Sequence, residues 1–117
     1  MKLRNMSADV RNVSKVLIKV RETGEVLTLK HATILRSYES DVAIYANGRV
    51  YLLPRYEYSI TTWKHVHSFV QDFCNGVPDL CANDMRASAK RGETNDGWEY
   101  CFIDGYQLDG YPFWLAY

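Results

Sequence analysis

No run in this chain approaches the roughly eighteen apolar residues that a membrane-spanning helix requires. Met1–Ser14 has no apolar stretch of the kind that marks a secretion signal. Net charge is also missing: 14 Lys/Arg balance 14 Asp/Glu, so no overall field draws the protein toward nucleic acid. Cysteine is scarce and odd in number, with Cys74, Cys81 and Cys101 alone. A small secreted domain normally pairs its cysteines, so free thiols in a reducing compartment are expected. These absences together predict a soluble, cytoplasmic protein.

The motifs of common catalytic chemistry are missing as well. There is no GxSxG nucleophile turn and no GxGxxG or GxxxxGK[ST] phosphate loop. CxxC and HxxxH spacings do not occur. His65, His67, Cys74 and Cys81 fall within 17 positions, but helical residues two apart point about 200° from one another and cannot share an ion. Asp104 and Asp109 offer two carboxylates, yet each precedes a glycine, where Asp is simply a good turn residue. The expectation is a protein that is not an enzyme and that holds no metal or cofactor.

What is present is a chain of 117 residues, long enough for one core, with an ordinary 47 % apolar fraction. Aromatics are abundant: nine Tyr, four Phe and three Trp. Aromatics beyond what a small core holds tend to collect at binding surfaces. Charge is unevenly spread, with eleven cations against six anions in residues 1–64 and three against eight in residues 65–117. Either the molecule is two-faced or the halves interleave and cancel.

Periodicity supplies the elements. Residues 1–12 show no clear period. Across Val13–Glu22, Val16, Ile18 and Val20 alternate with Lys19 and Arg21, the pattern of a half-buried strand. Thr23-Gly24 turns the chain into a return strand over Val26–Lys30, and Ala32–Ser37 reads as a third strand. Asn47-Gly48 between Asp41–Ala46 and Arg49–Leu53 is the strongest short-range hairpin signal, because both turn residues must accept positive φ. Trp63, Val66, Val70 and Phe73, widened by Phe69, form a helical stripe with Thr61 or Thr62 as its cap and Asn75-Gly76 as its stop. A weaker helix is expected over about Leu80–Arg91. Trp98–Ile103 and Tyr111–Tyr117 read as strands among Asp-Gly turns. The predicted fold is one α+β domain over residues 1–117, an antiparallel sheet of about four to six strands with one or two packed helices. Hairpins and the main helix would occupy about 13–73, the second helix and the aromatic strands about 74–117.

Two groups of residues are candidate sites. Ser59, Thr61, Thr62, Lys64 and His65 surround the expected helix start, where unsatisfied N–H groups favour an anion; a capped helix with Trp63 in the core accounts for the same residues. Arg86, Lys90 and Arg91 add a basic helix end, placed equally well by the helix dipole. The second group is the aromatic tail, Tyr106, Tyr111, Phe113, Trp114 and Tyr117, which serves as core, as a dimer seam or as a partner-binding face.

Two segments carry a resemblance. Leu35-Arg36-Ser37-Tyr38-Glu39-Ser40-Asp41-Val42-Ala43 resembles an L-x-S-Y-x-S/T-x-V-A element, and Tyr58–His65 followed by Phe69 resembles Y-S-x-T-T-x-K/R-H-x-x-x-F. In this order, about the Asn47-Gly48 hairpin, they are similar to a family of small phage-, prophage- and plasmid-encoded domains of unknown function. The resemblance covers about Ala32–Phe73 and brings no activity with it. It implies a mobile-element origin, where small single domains regulate, bind nucleic acid or block host defence. The expectation is therefore a phage-encoded inhibitor, anti-CRISPR-like, that occludes a host antiviral-defence protein in the host cytoplasm through the aromatic tail. The alternative is a nucleic-acid- or nucleotide-binding module that uses the helix start and the basic stretch. A homodimer stays open.

Overall fold

The computed structural model describes residues 8–21, 23–38, 40–54, 60–74, 100–108 and 114–115. Five strands close into a barrel: β1 (Ala8–Val20), β2 (Val26–Ser37), β3 (Ser40–Ala46), β4 (Arg49–Leu52) and β5 (Tyr100–Leu108). A single described helix, α1 (Ile60–Phe73), lies between β4 and β5 in the chain. The first four strands form an antiparallel meander, while β5 runs parallel to β4 and antiparallel to β1. A parallel closure needs a crossover, and α1 belongs to it. The predicted α+β sheet with packed helices is therefore corrected to a closed, mainly β barrel with one helix among the described residues. The second helix expected over 80–91 lies outside the described residues.

Burial divides the apolar residues into two clusters. One receives Val16, Ile18, Leu29, Ile34, Ile44, Tyr51, Cys101, Ile103 and Tyr106, from all five strands, and is the barrel interior. The other sets Val66, Phe69, Val70 and Cys74 of α1 against Ala8, Val10, Leu35, Ala43, Val50, Leu52 and Phe102, and is the layer between helix and barrel wall. Both faces of β3 and β4 are therefore buried, which explains why these strands read as nearly continuous apolar runs.

The long strands β1 and β2 serve both layers by switching faces. In β1, Val10 faces the helix layer, whereas Val16 and Ile18 face the interior; in β2, Leu35 faces the helix layer and Leu29 the interior. The switch costs each strand one extra outward residue, Ser14–Lys15 opposite Lys30–His31, and His31 has φ 56° there. A left-handed histidine in mid-strand bends β2 around the barrel. The stretch read as two strands, Val26–Lys30 and Ala32–Ser37, is one bent strand, and β1 already begins at Ala8, within the residues that showed no period.

Tight turns hold the meander. Asn47 (φ 53°) and Gly48 (φ 77°) form the expected hairpin turn between β3 and β4. Asp104-Gly105, expected as a turn, instead lies inside β5, where the register against β1 shifts between Lys19 and Val20 and makes Asp104 the bulged residue. No helix among the described residues is long and apolar enough to cross a membrane.

Candidate functional site

The two segments that carry the motif resemblance meet in space. Ser37, at the end of β2, is 2 % exposed and lies over the first turns of α1. Its Oγ is hydrogen-bonded to Thr62 Oγ1 at 3.3 Å and to Nδ1 of His65 at 2.7 Å. Thr62 and His65 are 3 % and 1 % exposed, so the trio is sealed between β2 and the helix. The direction of the shorter Ser37–His65 bond follows the tautomer of the neutral ring, with Nδ1 accepting from the hydroxyl or donating to it. Burial also lowers the His65 pKa from its ordinary value, favouring that neutral ring. His65 Nε2 meets no hydrogen-bond partner among the described residues. Tyr38, exposed and at φ 55° in the β2–β3 turn, stacks at a tilt on the His65 ring, 5.6 Å between centroids.

The trio docks the helix on the barrel, joining residues 25 and 28 positions apart. Thr62 lies inside a helix that begins at Ile60, and its hydroxyl joins this network.

A second polar group closes one end of the barrel. The register between β2 and β3 shifts between Leu35 and Arg36, leaving Val42 as the extra residue and turning Asp41 inward. Tyr106 of β5 donates its phenol proton to Asp41 Oδ2, and Arg11 of β1 reaches the same oxygen at 3.0 Å. Asp41 is 4 % exposed, and its Oδ1 meets no partner among the described residues. Arg11 remains exposed, so the carboxylate is neutralised from the rim while the tyrosine bonds it from within.

The C-terminal segment is fixed by the same tyrosine. Tyr106 and Leu115 exchange two backbone hydrogen bonds, 2.9 Å and 2.7 Å. The neighbouring Trp114 is left 43 % exposed. Nearby on the surface, Arg21 pairs with Asp104 at 3.0 Å, and its guanidinium lies 5.1 Å from the centroid of the Phe102 ring.

The predicted site residues therefore separate. Within the aromatic tail, Tyr106 is wholly buried and belongs to the core, where it cannot serve as a contact surface, while Trp114 is exposed. Tyr111, Phe113 and Tyr117 lie outside the described residues. At the helix start, Thr62 and His65 turn inward, and Lys64 is exposed. Ser59, Arg86, Lys90, Arg91 and the side chain of Thr61 lie outside the described residues. Asp41 and Arg11, which carry the buried carboxylate, were not singled out in the sequence; Asp41 sits in the first motif segment, but nothing local marks a strand residue that a bulge turns inward. No group of three or more His, Cys, Asp or Glu among the described residues could hold a metal ion.

These features define a small closed β-barrel with a helix pinned to one side by polar side chains and a C-terminal segment held to β5 by backbone hydrogen bonds. The chain belongs to a family of unknown function (DUF8033), whose model matches residues 1–86. That span includes β1 to β4, α1 and both motif segments; β5 and Trp114 lie beyond it. No curated protein and no solved structure matches the chain.

Proposed function

We propose that this domain is a non-catalytic binding protein that docks on a protein partner and blocks that partner's working surface. Trp114 carries the reading. The residue is 43 % exposed, while the next one is bonded in both directions to a tyrosine wholly buried in the barrel. An exposed aromatic on backbone already fixed to a core loses little freedom on binding, and such anchors supply a large share of affinity at protein interfaces. The resemblance to domains of mobile elements supports the class of partner, a host antiviral-defence protein met in the host cytoplasm, with an anti-CRISPR-like mode of occlusion. The helix-start reading for nucleic acid has less support, because Thr62 and His65 are committed to Ser37.

A tagged pull-down from bacterial lysate, with and without nuclease and at high salt, tests the proposal. A stoichiometric protein retained under all conditions by the wild type, and lost with Trp114→Ala at unchanged melting temperature, is the expected result. Phosphate-led binding weakens steeply with salt, whereas a contact centred on a buried aromatic does not. Recovery of nucleic acid, or of proteins released by nuclease, overturns the reading.

A further inference from the structure

Among the described residues, the N-terminal half of β2 has an open edge. Pairing with β3 begins only at Thr33, so among the described residues no strand lies along Val26–Lys30 on the side away from β1. The residues that present this edge follow from one hydrogen bond. Val20 N–H donates to Glu25 C=O at 2.9 Å, making those two a hydrogen-bonded pair. Bonded and non-bonded pairs alternate in an antiparallel ladder. Leu27 and Leu29 therefore bond to Ile18 and Val16, while Val26, Thr28 and Lys30 aim their N–H and C=O groups outward. The other edge of β1 agrees, since Tyr106, opposite Ile18, turns its N–H and C=O to Leu115, and Arg21 N–H donates to Phe102 C=O of β5. The side chains of Val26, Thr28 and Lys30 are exposed, Val26 at 51 %. An exposed apolar strand edge is a template for another strand, and Lys30 is its only charged guard among the outward-facing positions.

We propose that this edge pairs with its own copy in a second molecule, antiparallel about a twofold axis at Thr28. That register uses all three outward residues: Thr28 bonds Thr28 of the second copy, and Val26 bonds Lys30 in both directions. The side chains are complementary in the same register. Threonine faces threonine, Val26 packs on the aliphatic stem of Lys30, and exposed Glu25 stands opposite exposed His31. Centring the axis on Lys30 would set two ammonium groups together, and centring it on Val26 or Leu27 leaves Lys30 without a strand partner. The sheet then runs on from β5 through β1 and β2 into the β2, β1 and β5 of the other copy.

Sedimentation velocity of the full chain over a range of concentrations tests the pairing. The wild type is expected to show a concentration-dependent dimer. Thr28→Pro removes an outward N–H and no barrel bond, and it should leave a monomer with the wild-type circular dichroism spectrum. Should that variant fail to fold, Val26→Lys decides: it sets two cations face to face and should weaken the dimer at least tenfold. Adding Lys30→Glu to Val26→Lys should restore it, because the new lysine then meets a glutamate. A chain that stays monomeric up to millimolar concentration, a dimer indifferent to Val26→Lys, or an edge that captures only a foreign strand overturns the proposal.

Discussion

The 2.7 Å contact between Ser37 Oγ and Nδ1 of His65 joins the end of β2 to the first turns of α1 in a place that water does not reach. Ser37→Ala leaves the buried Nδ1 of His65 without its hydrogen-bond partner, which costs about 1–3 kcal/mol. Urea denaturation should show this as a lower midpoint with an unchanged slope. The same site makes stability depend on pH. Burial lowers the His65 pKa below its ordinary 6.5, so the unfolded chain takes up the proton more readily than the folded one. Stability is then full above about pH 6.5 and falls as pH drops toward the folded pKa. His65→Gln should flatten this part of the melting temperature profile; an unchanged slope between pH 7.5 and 5 would place the titration elsewhere.

The Tyr106–Asp41 bond gives the barrel end its own signature. Tyr106→Phe removes the donor that reaches Asp41 from inside and leaves the carboxylate with Arg11 on the rim. The expected loss is about 1.5–3 kcal/mol, the range for a hydrogen bond to a charged group. Arg11→Met should cost less, because Arg11 is 44 % exposed and solvent screens its pairing. Equal losses in the two variants, read by thermal melting, would show that the inner bond has no special role.

Backbone conformation distinguishes two positive-φ positions. Gly48 has φ 77° and open space around it, so Gly48→Ala strains the turn without a clash and should cost about 1 kcal/mol. His31 has φ 56° in mid-strand. His31→Gly relieves about 1–2 kcal/mol of left-handed strain against about 0.5–1 kcal/mol of added chain entropy, for a small net gain. His31→Val should destabilise clearly, since a β-branched residue resists this region. Chemical denaturation of the three variants orders them, and a stabilised His31→Val would refute the bend.

Sequence legibility followed the range of the interaction. Asn47-Gly48 announces its hairpin because the turn itself selects residues that tolerate positive φ. The Val66–Phe69–Val70 stripe announces a helix because one face meets one wall. Closure was not legible: β5 pairs with β1 and β4 through contacts some fifty to ninety residues apart, and no period of two records which strand lies alongside. The face switch at Ser14–Lys15 and Lys30–His31 broke the alternation, so one bent strand read as two and the start of β1 as no strand at all. Tyr106 looked like part of an aromatic tail because Asp104-Gly105 resembles a turn; as a bulge within β5 it carries the strand on and sets Tyr106 in the core. Ser37, Thr62 and His65 stood in the two motif segments, but only the folded chain brings the segments together.

Thiol chemistry reports on the helix layer. Burial pushes the Cys74 thiol up to about 12, and Cys74 closes α1 against the barrel wall. Only the thiolate reacts, so a disulfide reagent at pH 8 should label Cys74 no faster than the protein unfolds. Cys101, buried in the barrel interior, should follow the same rate. Mass spectrometry of peptides after timed labelling separates the two sites from Cys81. Labelling of Cys74 well ahead of Cys101 would show that α1 lifts from a barrel that stays closed, a local opening with its own free energy. Val70→Ala, which removes contacts from the helix layer alone, should then widen the gap between the two rates.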